Sequence, residues 1–479
     1  MKKRILIMLI TVFGIAFLYL IGHIFFILQN QDDLKPSPTE DAVSTYTNAI
    51  SKIDPSEDMI LSIHLTEEMT VDGSVFLEIS DRIVSYDMQT SGSPSIQVIE
   101  KRRSGTHDID ITETFINDTV YLTVNETPFK GNCDAQQYTS FLIPAIIISS
   151  DLYRNIESTY SENGYLITFS DPISGELWLT NPSTTLLEAR GVARISNDGT
   201  LETSMYTASY QINGITFRVT AQVDIQQENV NITPPDDAAV YTPIGAWQAP
   251  KQLERACGYL LQAKQISAAY VDSIYFEAIG DRRDKSVASY ASFDTEWSVS
   301  VETDITTLNE TKQDQAQVQR RSEIFIDGQY RVSNNSEVPV VNESITVDTV
   351  YNYFQDQLVS TIMLPQHIQT AESNENEDIL RIIFAGTDTL GYFLAENACQ
   401  LLYNDPNLIT ETGSGFTTKE LNSYLDIDKT TGLPLASGID FTGSYTTEGL
   451  PYLLKYRADQ TYIIPNHESK AIIQKAADN

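Results

Sequence analysis

The sequence predicts an α+β fold: an N-terminal transmembrane helix, then two tandem units, each a curved antiparallel β-sheet (an open half-barrel) with helices on its concave side. Three observations carry this expectation. Apolar and polar residues alternate over many short runs separated by Gly, Asn and Asp, the pattern of antiparallel strands with one buried face. A hairpin-like stretch at 193–219 recurs, in fuller form, at 424–456, with Gly199 matching Gly432, Tyr210 matching Tyr445 and Gly214 matching Gly449. Finally, Ile5 to Leu28 contains no Asp, Glu, Lys or Arg.

That apolar stretch is long enough to cross a hydrocarbon core of about 30 Å at about 1.5 Å per residue. A cleaved signal peptide has a shorter apolar region and a small-residue cleavage site, and the segment ends instead in FFILQNQDD. Residues 1–28 therefore read as a cytoplasmic tip and a signal-anchor helix. Lys2, Lys3 and Arg4 precede it and Asp32 and Asp33 follow it, so the positive-inside rule puts the N-terminus in the cytoplasm and the rest of the chain outside. Residues 29–39, polar and proline-containing, form a stalk.

The first unit is read over 40–225. Val43, Tyr46, Ile50 and Ile53 fall at helical spacing. Strands follow, with Leu61, Ile63 and Leu65, then Val75, Leu77 and Ile79, then Val84, Tyr86 and Met88 on buried faces. Phe115 to Val124 is a hairpin turning at Asn117-Asp118. The run from Tyr138 to Tyr153 is apolar without alternation and carries Pro144, which suits one or two short helices over the sheet. Tyr165 to Phe169 and Glu176 to Leu179 return to strand. Residues 226–250 hold Pro234, Pro235, Pro243 and Pro250 and read as a linker whose Val240, Tyr241 and Trp247 pack on a unit.

The second unit is read over 251–465. Leu253, Ala256, Tyr259, Leu260 and Ala263 give a helix, and Trp297, Val299 and Val301 a strand. Ile324 to Gly328 repeats the turn at Phe115 to Asp118. Thr346 to Leu364 is helical, with Val347, Val350, Tyr351, Phe354, Leu358 and Ile362 on one face. Ala395 to Tyr403 is helix or strand. The tail, 466–479, is polar.

The hairpin Leu425-Asp426-Ile427-Asp428-Lys429-Thr430-Thr431-Gly432-Leu433-Pro434-Leu435 resembles one that recurs in the LolA-like family of bacterial lipoprotein carriers and their relatives, which include lipid-binding lipoproteins and periplasmic sensors. Asp and Thr side chains bond the turn backbone there and Gly supplies positive φ. The order of helix, meander, apolar helix and hairpins is also similar. The resemblance implies a half-barrel whose space between sheet and helices holds acyl chains. The residues placed to line such a cavity, or to fill a core, are Phe141, Leu142, Ile146, Ile147 and Ile148 in the first unit and Tyr351, Phe354, Leu358 and Ile362 in the second.

Composition narrows the function. With 31 cations against 65 acids the chain carries −34, which repels nucleic-acid phosphates. Cys133, Cys257 and Cys399 show no metal spacing; one disulfide, for example Cys257 with Cys399, or three idle thiols fit equally. The five histidines are scattered. No metal site, cofactor or catalytic motif is read. The pairs Asp108/Asp110 and Asp426/Asp428 each place two carboxylates on one strand face, as acid–base chemistry or a cation would need, but the second pair lies beside a turn, where Asp is expected structurally. The expected function is non-enzymatic: a membrane-anchored extracytoplasmic protein binding a lipid or other hydrophobic ligand, or alternatively a surface sensor or scaffold binding a protein or envelope component.

Overall fold

The computed structural model describes residues 41–464, except 54–56, 72, 89–93, 142–147, 149, 174–183, 278–279, 294–296, 310–316, 327, 336–339, 343–344, 377, 404–415 and 448–449, together with a two-residue strand at Lys35–Pro36. The apolar stretch from Ile5 to Leu28, the strand read at Glu176 to Leu179 and the tail lie outside the described residues. Among the described residues no helix is long and apolar enough to cross a membrane.

The first half of the chain forms helix α1 (Ala42–Ser51) and strands β1 (Met59–Val71), β2 (Ser74–Asp87), β3 (Ser95–Ser104), β4 (His107–Ile116), β5 (Thr119–Val124) and β6 (Thr127–Asn132). Helix α2 (Ala135–Phe141) leads to β7 (Tyr153–Ser161), β8 (Gly164–Pro172), β9 (Thr184–Ile195), β10 (Leu201–Ile212) and β11 (Ile215–Gln226). The second half opens with α3 (Ala249–Gln262) and continues with β12 (Gln265–Phe276), β13 (Asp281–Phe293), β14 (Trp297–Asn309), β15 (Gln317–Ile326), β16 (Gln329–Asn334) and β17 (Val340–Asn342). Then come α4 (Val347–Leu358), β18 (Ile368–Glu375), β19 (Ile379–Gly386), α5 (Asp388–Tyr403), β20 (Thr417–Asp428), β21 (Pro434–Thr447) and β22 (Leu450–Ile463).

These strands make two open sheets with one shared order. The first runs β7-β8-β9-β10-β11-β1-β2-β3-β4-β5-β6, and the second runs β18-β19-β20-β21-β22-β12-β13-β14-β15-β16-β17. Each strand of one occupies the place of its counterpart in the other. The first sheet gains a short strand at each edge: Lys35–Pro36 antiparallel to β7, and Thr242–Pro243 parallel to β6. The edges of neither sheet meet, so neither closes into a barrel.

The tight turns follow from residue type. Asn117 and Asp118 both take positive φ (51° and 57°), as do Asn125 and Glu126, and these two-residue loops match the right-handed twist of the strands they join. At Gly432, with φ of 74°, the Asp428 side chain accepts from the Thr430 and Thr431 amides at 3.0 and 2.7 Å and from Thr431 Oγ1 at 2.8 Å.

Several local expectations are corrected. On β2 the buried phase is not Val75, Leu77 and Ile79 but Phe76, Glu78 and Ser80: Val75 is 41% exposed and Phe76 1%. β2 is a single strand continuing to the buried Val84, and a strand with period two cannot change faces midway without a bulge. On α1 the buried residues are Ala42, Thr45, Tyr46 and Ala49, while Val43 is 38% exposed. Residues 388–403 are helical, and α4 stops at Leu358 with its cap at Val359. In the linker Tyr241 and Trp247 are buried, but Val240 is exposed. Cys133 and Cys257 are free thiols, so the Cys257–Cys399 bridge is not made.

Candidate functional site

Helix α3 positions the site. It touches β3 and β4 of the first sheet and β18, β21 and α4 of the second. Leu253, Ala256, Tyr259 and Leu260 are buried. Gly258 permits the close approach: a Cβ there would lie 2.5 Å from Ser104 Cβ. Gln262 finishes the contact, accepting from the Leu77 amide at 2.9 Å and donating to Ser104 Oγ at 2.6 Å.

The polar side of α3 meets carboxylates on the inner face of the first sheet. Lys251 Nζ lies 2.6 Å from Glu113 Oε1 and over the Trp247 ring at 4.6 Å. Arg255 Nε lies 3.0 Å from Glu78 Oε2, and its Nη2 lies 3.2 Å from Glu67 Oε2. His107 Nε2 lies 2.7 Å from Glu254 Oε2. Deeper in the sheet, Glu100 Oε1 takes Arg102 Nε at 2.9 Å, Arg82 Nε at 3.0 Å and Ser80 Oγ at 2.7 Å. Glu78, Glu100 and Glu113 are buried, and a buried charge is tolerated only when paired. Burial alone would raise the Glu100 carboxyl; Arg102 and then Arg82 outweigh it and bring its pKa down to about 2. Burial likewise works against the charge on Arg255, but Glu78 and its neighbours hold that guanidinium firmly protonated.

Beside this seam lies a cleft of about 390 Å³ between the two sheets. One wall is a single cross-strand row of the first sheet. Tyr210 pairs with Phe217, Phe217 with Met69, and Met69 with Phe76, across β10, β11, β1 and β2. The Tyr210 and Phe217 rings stack at 5.2 Å with 13° between their planes, and both are half-buried. The facing wall is a row of the second sheet, Glu375-Leu380-Ile427, continued by the Asp428 to Gly432 turn. Gln252, Arg255 and Tyr259, on one face of α3, close the back. Phe76 meets Tyr259 edge-on at 5.7 Å, and burial pushes the Tyr259 phenol up to about 12. At the mouth Lys429 Nζ lies 2.9 Å from Glu375 Oε2 and 3.3 Å from the Asn376 carbonyl.

The residues placed to line an acyl cavity lie elsewhere. Ile148, Phe354, Leu358 and Ile362 are buried within the hydrophobic core. Tyr351 packs against Phe293 at 4.9 Å and Trp297 at 5.4 Å, and its hydroxyl donates to the Leu261 carbonyl at 3.4 Å. None of these five lines the cleft. Leu142, Ile146, Ile147 and the Phe141 side chain lie outside the described residues. Three of the four residues in the two carboxylate pairs have structural partners. Asp426 holds Arg381 through two 2.6 Å bonds, Asp108 holds Arg103 at 2.6 Å, and Asp428 holds its own turn.

The turn at Asp428 to Gly432 was visible in the sequence as a hairpin, and the structure adds that it faces the other unit. Arg255 and Lys251 are not singled out by the sequence, where only the apolar face of this helix, Leu253, Ala256, Tyr259, Leu260 and Ala263, stands out. Their signal lay in β2, β3 and β4, where Glu78, Glu100 and Glu113 occupy the inner face.

No family model matches the chain, and no curated protein matches it. Among solved structures it is similar to LprF from Mycobacterium bovis, with a TM-score of 0.23 and 10% identity over 46% of this chain and 97% of that one. It is also similar to a putative AttH from Nitrosomonas europaea, with a TM-score of 0.15 and 6% identity over 86% of this chain and 95% of the other. The outer membrane protein OpdK from Pseudomonas aeruginosa gives a TM-score of 0.12 and 5% identity over 85% and 99%. Overlaps this loose define no shared fold.

Proposed function

We propose that this chain is a non-enzymatic, membrane-anchored extracytoplasmic binding protein whose ligand enters the cleft between its two sheets. The observation that carries the reading is the facing of two cross-strand rows, Tyr210-Phe217-Met69-Phe76 and Glu375-Leu380-Ile427, across a space of about 390 Å³. That volume lies within the range of small-ligand sites, and its lining mixes apolar residues such as Phe217 and Ile427 with charged ones such as Glu67, Glu68 and Arg255. The Phe217-Met69-Phe76 row favours a ligand with a hydrophobic face, and the charged residues beside it one that also carries polar groups. Three of the four paired carboxylates, Asp426, Asp108 and Asp428, are engaged with Arg381, Arg103 and a turn, which favours a binding role over catalysis.

Anchoring through Ile5 to Leu28, with the N-terminus cytoplasmic, rests on the charge pattern around that stretch. The shared strand order and the turn at Asp428 to Gly432 support reading the two halves as a tandem pair of LolA-like units. On that basis there is a second reading, an acyl ligand entering between sheet and α4 beside Phe354. It requires the buried Phe354 side chain to give way. Fluorescence or calorimetric titration of the purified full chain with candidate ligands, comparing Phe217→Ala with Phe354→Ala, separates the two. Loss of binding in Phe217→Ala alone supports the cleft, and loss in Phe354→Ala alone removes it.

A further inference from the structure

We infer that β17 is a docking edge for the Lys35–Pro36 strand of a second copy of this chain, so that copies join head to tail through the junction already used between the two sheets. The template is the segment from Thr242 to Ala246. Thr242 and Pro243 pair in parallel with Phe129 and Lys130 of β6, and the Ile244 amide donates to the Lys130 carbonyl at 2.8 Å. Further along, the Ala246 amide donates to the Ala371 carbonyl of β18 at 2.8 Å. One segment thus bonds an edge of each sheet. Lys35–Pro36 is its counterpart in the chain: Pro36 stands six positions before Ala42, where α1 begins, and Pro243 stands six before Ala249, where α3 begins. Lys35–Pro36 pairs with β7, which holds the place of β18 in the first sheet. Among the described residues no strand pairs with its other side.

At the far end of the chain, β17 holds the place of β6, and among the described residues no strand pairs with its outer side. On β6 Phe129 is fully buried, and Tyr241, Ile244 and Trp247 of the covering segment are buried with it. On β17 Val340 is 68% exposed and Val341 47%. An uncovered edge strand with exposed valines is a template for another strand. The hairpins fix the register. Phe115 pairs with Val120 and Leu122 with Phe129, while Phe325 pairs with Tyr330 and Val332 with Val340. Counted from the matching Phe115 and Phe325, Val340 is the equivalent of Phe129, and Val341 of Lys130. Lys35 of one copy then falls opposite Val340 of the next, and Pro36 opposite Val341.

The helices agree with this placement. Lys251 and Arg255 of α3 meet Glu113 and Glu78 of the first sheet, whereas the same positions of α1 are Ser44 and Asn48, both exposed. Glu323, two residues before Phe325 as Glu113 is before Phe115, is held by Arg321 at 2.8 Å. The cations that lock the internal junction are absent from α1, and the matching carboxylate is already paired. The contact between copies is therefore weaker than the internal one and reversible. Because its two surfaces differ, it extends into rows or rings rather than stopping at a pair.

The test is disulfide trapping on the purified full chain in mild detergent, at high salt to screen the net charge of −34 that holds copies apart. Lys35→Cys and Val340→Cys are made singly and together, and the parent chain gives the background from its own cysteines. Neighbouring strands lie about 4.8 Å apart, within reach of a disulfide. Under copper–phenanthroline the double variant should give a ladder of dimers, trimers and larger species on a non-reducing gel, while each single variant stays at background. Mixing the two single variants should give dimers only. Adding Val341→Glu, which changes an exposed side chain and puts a charge on the edge, should cut the ladder at least fivefold. Dimers from Val340→Cys alone, at the yield of the mixture, would overturn the proposal by pairing two β17 edges with each other. A double variant that stays monomeric, or a ladder that Val341→Glu leaves unchanged, would overturn it as well.

Discussion

Replacing Lys251 by Met tests whether α3 locks the two halves together. The substitution keeps the aliphatic stem over Trp247 and removes the ammonium 2.6 Å from Glu113. Glu113 has a side chain only 5% exposed. It would keep a single long bond from Tyr138 Oη at 3.4 Å. Removing one partner of a buried ion pair typically costs about 3–5 kcal/mol, because the remaining charge stays buried. The Tyr138 bond puts this case near the lower end, about 3 kcal/mol, or roughly a hundredfold in the folded-to-unfolded ratio. The assay is equilibrium urea unfolding, followed by tyrosine and tryptophan fluorescence. A second effect is expected in the same data: α3 touches both sheets, so weakening its seam should split one transition into two. Adding Glu113→Gln to Lys251→Met should recover most of the loss, since the stranded charge is then gone. A cost below about 1 kcal/mol for the single variant would refute the reasoning, because a pair worth so little is a solvent-screened one.

Three further outcomes follow from the same geometry. The Glu100 carboxyl is lowered from 4.5 to about 2, so its ionised form stabilises the fold above pH 4.5 and that contribution is lost as the pH falls toward 2. It is on the order of 3 kcal/mol, and urea unfolding between pH 5 and pH 3 should show a shallower acid slope in Glu100→Gln. Gly258→Ala should cost about 1–3 kcal/mol by thermal unfolding, since the new Cβ meets Ser104 Cβ at 2.5 Å. Phe354→Ala should cost about 3–5 kcal/mol by urea unfolding, since that ring is buried in the core, and a much smaller cost would show that it borders a ligand space instead.

Much of the architecture was legible because β-hairpins announce themselves locally. Asn117-Asp118 specify their turn by backbone preference, Gly432 does so with the Asp428 side chain, and the order of such signals led to the expectation of a repeat. The phase of β2 was misread for a physical reason. Val75, Leu77 and Ile79 are the apolar phase, yet they lie on the outer face, while the inner face carries Phe76, Glu78 and Ser80. Alternation identifies a strand but names the buried face only where that face is apolar, and here charged residues from α3 complete it. The cleft was not legible, because Tyr210, Phe217, Met69 and Phe76 come together through pairing across four strands. Nor does α3 betray its second contact: an amphipathic helix has the same pattern whether its polar side meets water or buried carboxylates.

The central claim is that ligand is taken between the sheets and not beneath α4. The most direct measurement is ¹⁹F NMR of the full chain labelled with fluorophenylalanine, with Phe76, Phe217 and Phe354 assigned by single Leu substitutions, titrated with a total envelope extract. The account predicts that the Phe76 and Phe217 resonances move together while Phe354 stays still. Movement at Phe354 with Phe217 unchanged, or no movement at any of the three, would contradict it.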